Sequence, residues 1–291
     1  MKIISYHTPA AYIEATYSFL MLHELRNNLI IGLMNNFTNP HQHHENCVFI
    51  NLIENDTIIL TSIKTLSRAI VAGTTDNTDS VAYLVQYYVT NKIEITGVFG
   101  TKNLAEKFAT LYPSNFSINA SMMVHELSEI NNLKTAKGIL RMAIIKDLPI
   151  INDYSILFQE EAALSIRHDK TTLEKLNISK IKQERIYVWE NKNEIKSIAA
   201  IVRMTQNYGI IGMVFTPKKF RNNGFATACV KSLSSEIFQK GKTKCGLFTD
   251  LSNPTSNQIY AAIGYIPKEE FSDINIFCYD NNVMLSIHTY T

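Results

Sequence analysis

The chain lacks the features that would tie it to a membrane, a nucleic acid or the exterior of a cell. No segment of its 291 residues approaches the roughly 18 consecutive apolar residues that a bilayer-crossing helix needs, so no membrane span is predicted. Neither charge is in excess. The 28 basic and 26 acidic residues leave a net charge of +2, too little for a field that would hold nucleic acid. The stretch Met1 to His7 lacks a basic region followed by an apolar core and a small-residue cleavage site, so a cytoplasmic protein is expected. Cysteine is scarce. Cys47, Cys229, Cys245 and Cys278 lie far apart in sequence, which predicts free buried thiols rather than a disulfide framework. Asn-x-Ser/Thr triplets at Asn36, Asn55, Asn115, Asn119 and Asn177 are assigned no role, because an Asn-rich chain without a secretion signal produces them by accident. His41, His43 and His44, close to Glu45 and Cys47, follow Asn39-Pro40 in what reads as a surface loop. They have no second ligand set at a recognisable spacing, so no metal is expected.

What is present is globular: 46% hydrophobic and 19% charged residues, over a length that favours two domains each able to bury a core. The pattern over 9 to 36 predicts two helices. Strands are predicted at Cys47 to Leu52, Thr57 to Ile63, Arg68 to Ala72 and Ile93 to Ile95, with a helix at Ser80 to Thr90 between the last two. Gly97-Val98-Phe99-Gly100 is expected to open a helix over Thr101 to Tyr112, and Met122 to Ile130 reads as a strand. The polar segment 131–138 is the expected linker between an N-terminal domain, 1–130, and a second domain, 139–291.

In the second half a strand at Leu140 to Ile144 precedes a helix from about Leu148 to Ile166, which carries Glu160 and Glu161, and another at Thr171 to Lys182. Ile186 to Trp189, Ile195 to Thr205 and Tyr208 to Phe215 then read as an antiparallel meander. A helix over Asn223 to about Lys240 shows Phe225, Cys229, Leu233 and Ile237 as an apolar stripe, and Gly241 stops it. Strands at Lys244 to Thr249 and Asn275 to Tyr279 flank a helix over Asn253 to Ile263. The first half echoes this order, so a degenerate copy of the same fold is expected there.

The chemistry concentrates at Val214 to Thr227. A strand that stops before Arg221-x-x-Gly224-x-Ala226 and passes into a helix points successive backbone N–H groups, with the positive end of the helix dipole, at one spot. That spot suits a diphosphate. Gly224 and Ala226 let the backbone approach it, Arg221 adds a fork of donors, and Thr227 adds a hydroxyl. Asn222 and Asn223 suit the turn and cap positions, and Phe225 begins the apolar stripe of the helix. Downstream, Asn253 is followed seven residues later by Tyr260 and then by Gly264-Tyr265.

These two blocks, in this order and at this separation, resemble the acyl-CoA-binding block and the second conserved block of the GNAT superfamily of N-acetyltransferases. The resemblance covers residues 139 to 280 and is densest from 208 to 265. It departs from the family at Asn222, where many members place Gly, and this side chain could restrict the nucleotide pose. Ala226 is a common variant of the last Gly. The first half has no such cradle and no Asn with a Tyr seven residues on.

The resemblance implies an α+β or α/β fold with a mixed, mostly antiparallel sheet flanked by helices. It also implies acetyl-CoA as cosubstrate, no metal, and transfer of acetyl to a primary amine by direct attack in a ternary complex. The backbone of Val214, Phe215 and Thr216 would lie along the pantetheine, with a backbone N–H polarising the acetyl carbonyl. Arg221 to Thr227 would hold the diphosphate. Tyr260 would act as general acid, since a phenol near pKa 10 stays protonated as a thiolate of pKa about 8.5 to 9 leaves; an aromatic core residue is the alternative. Asn253 would bond the pantetheine or simply cap its helix. Gly209 to Phe215 contains no carboxylate, so the base is left among Glu160, Glu161 and a water chain, and a solvated helix face explains the two glutamates equally well. A non-catalytic acyl-CoA-binding or sensor module is the alternative function, and some other phosphate-ligand binder a third. The amine acceptor and the oligomeric state have no readable motif.

Overall fold

The computed structural model describes residues 1–37, 46–162, 164 and 167–277. His41, His43, His44, Glu45 and Cys278 lie outside the described residues. The chain begins with strand β1 (Lys2–Tyr6), helices α1 (Pro9–Met21) and α2 (Asn28–Phe37), and strands β2 (Val48–Glu54), β3 (Thr57–Thr65) and β4 (Arg68–Gly73). Helix α3 (Thr78–Thr90), strand β5 (Gly97–Thr101), helix α4 (Lys102–Leu111) and strand β6 (Asn115–Leu127) complete a first series. The second series starts with β7 (Ile139–Met142), α5 (Leu148–Glu161), α6 (Lys170–Lys182), β8 (Ile186–Asn191), β9 (Glu194–Met204) and β10 (Tyr208–Phe215). It ends with α7 (Phe225–Gln239), β11 (Lys244–Asp250), α8 (Pro254–Ile263) and β12 (Ile266–Phe277). The same order of ten elements thus occurs twice, as the echo between the halves predicts.

Two compact units form, and each draws on both series. The first comprises 1–16, 40–119 and 271–291; the second comprises 17–39 and 120–270. In the first, β1 to β4 pair antiparallel in sequence, β4 pairs parallel with β5, and β5 pairs antiparallel with Phe271–Asn275 of β12. In the second, β7 to β10 pair antiparallel, β10 pairs parallel with β11, and β11 pairs antiparallel with Met122–Leu127 of β6. The mixed, mostly antiparallel sheet is therefore present in each unit. The segment 131–138 lies within the second: Asn131 N–H donates to Ile263 O at 2.8 Å, and Asn191 Nδ2 donates to Lys137 O at 2.7 Å.

The apolar stripes explain the layering. In the first unit, α3 and α4 bury Val81, Leu84, Tyr88, Leu104 and Phe108 against strand residues such as Ile50, Leu60 and Val98. In the second unit, one sheet face meets α7 and α8 through Cys229, Leu233, Ile237, Tyr260 and Ile263, with Ile201, Ile211 and Leu247 opposite. The other face meets α5 and α6 through Ile151, Tyr154 and Ile181, with Ile198, Ala200 and Phe215 opposite. Helix α7 ends as expected at Gly241, whose φ of 83° takes the left-handed region and whose N–H bonds Phe238 O. Residues 17–37 are anchored in this unit by polar contacts. Glu24 accepts from Asn207 N–H and Nδ2, each at 2.7 Å, and Arg203 Nε donates to Asn28 Oδ1 at 2.7 Å.

Several local expectations need correction. Gly97 to Gly100 is strand, not a helix-opening turn. A Cβ at Gly97 would come within 2.5 Å of Ile274 O, and one at Gly100 within 2.8 Å of Val71 O. Close strand neighbours, not turn conformation, therefore demand glycine there. Ile93 to Ile95 is not a strand, although Ile95 is fully buried. Strand β6 starts at Asn115 rather than Met122, α5 stops at Glu161 rather than Ile166, and β12 starts at Ile266 rather than Asn275. Strand β1 was not anticipated. Cys47, Cys229 and Cys245 are free thiols, the last two buried.

Candidate functional site

The site starts with a break in strand pairing. Strand β10 follows β11 in parallel register only from Tyr208/Lys244 to Ile211/Leu247. On its other edge, the register with β9 shifts between Gly212/Ala200 and Phe215/Ile198, so Met213 and Val214 stand opposite the single Ala199. This is a β-bulge, and Met213 adopts a φ of 52° within it. A bulge bends its strand, and here the bend falls where β10 and β11 part company. Val214 lies in this opening. Ser197 Oγ donates to Phe215 O at 3.1 Å and Thr216 Oγ1 donates to Ser197 Oγ at 2.9 Å, fixing the strand end.

The loop after β10 makes a short 3-10 turn at Lys218–Phe220 and enters α7 through two left-handed residues, Asn222 (φ 62°) and Gly224 (φ 73°). Asparagine tolerates this region better than other side-chain-bearing residues, which explains how Asn222 stands where glycine was expected. Asn223 Nδ2 donates back to Phe220 O at 3.2 Å and Arg221 O at 2.8 Å, so this side chain braces the loop from inside. Gly224 is the N-cap of α7 and supplies no side-chain hydrogen bond. The N–H groups of Phe225, Ala226 and Thr227 therefore begin the helix without a capping side chain. By contrast, α3 is capped by Asn77, α6 by Asp169 and α8 by Asn253. No acidic residue occupies the first turn of α7, whereas the corresponding α3 carries Asp79 there. An anion is favoured at the first and opposed at the second.

Arg221 is held at this helix start. Its Nε donates to Thr216 O at 2.9 Å, its Nη2 donates to Glu161 Oε2 at 2.5 Å, and its guanidinium lies 5.9 Å from the centre of the Phe215 ring. The Glu161 contact was not foreseen. No periodicity in the sequence links the end of α5 to a loop 60 residues on. Glu160, beside it, is exposed.

Helix α8 carries the second block. Asn253 Oδ1 accepts from Ser256 N–H at 3.2 Å, the capping geometry expected from its place before Pro254. Tyr260 is 7% exposed and lies in the cluster with Cys229 and Tyr265, its ring 5.9 Å from that of Tyr265. Burial, reinforced by the neighbouring Cys229, raises its phenol above the ordinary value near 10. The structure thus gathers Val214 to Thr216, Arg221 to Thr227 and Glu161 around the bulge and the start of α7, while Asn253 and Tyr260 occupy α8. No group of three or more His, Cys, Asp or Glu able to hold a metal is found among the described residues. The bulge was missed by sequence reasoning, although Gly209 and Gly212 inside an apolar strand were a signal for one.

Comparisons with known proteins bear on the fold that carries these residues. Residues 191–272 match the model of the FR47-like protein family. No curated protein matches the sequence significantly. Solved structures match along the length of the chain. A GCN5-related N-acetyltransferase from Sphaerobacter thermophilus aligns with a TM-score of 0.64 at 12% identity, covering 94% of this chain and 95% of that one. A GNAT-family acetyltransferase from Colwellia psychrerythraea gives 0.58 at 11% identity, over 95% and 99% of the two chains. A tandem GNAT protein from the clavulanic acid biosynthesis pathway gives 0.56 at 9% identity, over 94% and 98%. The doubled element order and the alignments over nearly the whole length show that the chain shares the fold of these acetyltransferase structures, with the FR47-like match falling in its second copy.

Proposed function

We propose that the second unit is an acyl-CoA-dependent N-acyltransferase that moves acetyl from acetyl-CoA to a primary amine by direct attack in a ternary complex. The observation that carries this reading is the bulge at Gly212–Phe215, which parts β10 from β11 just before the uncapped start of α7. The residues fit such a cosubstrate. Left-handed Gly224 and the N–H groups of Phe225, Ala226 and Thr227 suit a diphosphate, and Arg221 can add a bidentate fork once it exchanges partners. The names of the Sphaerobacter and Colwellia proteins, both acetyltransferases, point the same way.

Acetyl-CoA, when bound, supplies an activated thioester. The chain's part is to hold and to move protons. Backbone N–H groups of the bulged strand around Val214 polarise the acyl carbonyl, Asn253 steadies the start of α8, and Tyr260 donates the proton that the leaving thiolate takes up. Burial keeps the phenol protonated at neutral pH, though it also makes it a weaker acid toward the thiolate. The amine gives up its proton to Glu160, Glu161 or a water chain. No helix among the described residues is long and apolar enough to cross a membrane, and the expected setting is the cytoplasm. The test is to incubate the full chain with acetyl-CoA and panels of amino acids, polyamines, aminoglycosides and lysine peptides, following free thiol. Amine-dependent CoA release is expected; tight acetyl-CoA binding with no release for any amine class would contradict transfer.

A further inference from the structure

Arg203 carries a charge that the rest of the second unit does not answer. It stands near the end of β9 against α2, and its side chain makes one hydrogen bond among the described residues, from Nε to Asn28 Oδ1 at 2.7 Å. Among those residues no carboxylate lies within ion-pair distance, and Nη1 and Nη2 have no partner. Removal from water pushes the guanidinium down to about 10, with no acidic neighbour to offset the loss. Desolvated charges in native proteins are normally paired, because an isolated one is costly.

The surrounding structure makes way for this side chain. Gly32 lies in the middle of α2, and a Cβ there would fall 2.6 Å from Arg203 Cδ and 2.9 Å from Cγ, so the helix gives up a better helix former to let the arginine stem pass. Strand β9 also carries an extra residue at this point. Arg203 faces Ile210 and Ile201 faces Ile211, which leaves Val202 unopposed. Such a bulge re-aims the side chains beside it. Ile201 packs in the cluster under α7, whereas Arg203 meets α2. Asn28 is fully buried, and its Nδ2 donates to Leu25 O at 2.5 Å, which leaves Oδ1 for Arg203. A bulge, a mid-helix glycine and a desolvated cation are three costs, and anchoring α2 through Nε accounts for a single hydrogen bond.

We infer that Arg203 is a binding site for a small carboxylate, distinct in its residues from the start of α7. With Nε committed to Asn28, Nη1 and Nη2 remain as a parallel pair of donors that one carboxylate can meet with both oxygens. Arg203 is only half-buried, so a solute can reach it. One guanidinium balances the single charge of a carboxylate, and neither Asn28 nor Gly32 brings a second cation for a phosphate dianion. The carboxylate has two possible sources, the amine acceptor itself or a separate metabolite.

The experiment follows the melting temperature of the full chain, as wild type, Arg203→Met and Arg203→Lys, with acetate, succinate, L-glutamate and inorganic phosphate at about 10 mM and constant ionic strength. At least one carboxylate is expected to raise the wild-type value by about 2–4 °C, the shift that accompanies a concentration roughly ten times its Kd. The shift should vanish in Arg203→Met, and should need at least about 10-fold more ligand in Arg203→Lys, which keeps the charge but not the fork. If Arg203→Met does not fold, Arg203→Lys alone decides. No shift with any carboxylate, equal shifts in the variants, or a larger shift with phosphate would each overturn the assignment. These readouts need no acetyl-CoA, so they stand whether or not the chain transfers acetyl. CoA release with amino acids and with their carboxamides then separates the sources. A KM raised in Arg203→Lys for the amino acids alone assigns the site to the acceptor. Unchanged KM values for both, with the thermal shift still lost, assign it to a separate carboxylate.

Discussion

Arg221 meets any ligand already engaged, by Glu161 and by the Thr216 carbonyl. Its side chain and that of Glu161 are 39% and 36% exposed, so the pair contributes at most about 0.2–1 kcal/mol. A diphosphate with two charged oxygens is a better match to the fork, and Glu161 must be displaced for it to bind in that way. Glu161→Gln is therefore predicted to tighten acetyl-CoA binding by about 1.5- to 5-fold, and turnover preserved beside that gain would leave Glu160 or a water chain as the base. If calorimetry shows no gain and turnover collapses, Glu161 is the base rather than a competitor for Arg221. Tyr260→Phe should lower kcat by about 100-fold or more while leaving acetyl-CoA affinity nearly unchanged. Because burial raises the phenol's pKa, Tyr260 should stay protonated as pH rises, and kcat should show no descending limb below about pH 10. A limb near pH 8 that vanishes in Tyr260→Phe would contradict that role. At this scale the left-handed Gly224 before α7 and the cap at Asn253 were legible, because each is local to a turn. The exchange of Arg221 onto Glu161 was not, since it depends on where α5 ends.

At the scale of elements, β10, α7, β11 and α8 were legible nearly to the residue, because each is an apolar run or stripe bounded by Gly, Asn or Pro. The bulge was not legible, since it is a mismatch between β10 and β9 and belongs to neither sequence alone. The glycines of β5 misled for a related reason: Gly97 and Gly100 answer to neighbouring strands, and only the fold reveals who those neighbours are. The start of α8 separates two uses of one residue. Asn253→Ala should cost about 0.5–2 kcal/mol through loss of the cap to Ser256 N–H, lowering the melting temperature by a few degrees. An accompanying loss of acetyl-CoA affinity well below the melting temperature would show that Asn253 also touches the ligand. An unchanged Kd would leave it a cap.

At the scale of the whole molecule, the doubled order of elements could be read from the sequence, but the provenance of each unit could not. Hydrophobic patterning says that a strand exists, not which sheet receives it. The second unit takes 17–39 and 120–127 from the first series, and β11 is covered on one edge by β6. A fragment of residues 139–291 would therefore expose that edge and lose the Glu24–Asn207 and Arg203–Asn28 contacts. It is predicted to aggregate or to melt without cooperativity, as judged by sedimentation and circular dichroism; a monomer that melts cooperatively at the full-length temperature would contradict this. The first unit has the sheet but not the cradle. Strand β4 keeps an unbroken register with β3, and α3 starts with its own cap and an acidic turn. The most direct measurement is thus calorimetric titration of the full chain with acetyl-CoA, beside Gly224→Val. A Cβ at position 224 would meet only Ala136, at 3.8 Å, so the variant should fold, but valine resists the φ of 73° that the turn requires. One acetyl-CoA per chain, lost in Gly224→Val, is the predicted result; no binding, two equivalent sites, or undiminished affinity in the variant would contradict the account.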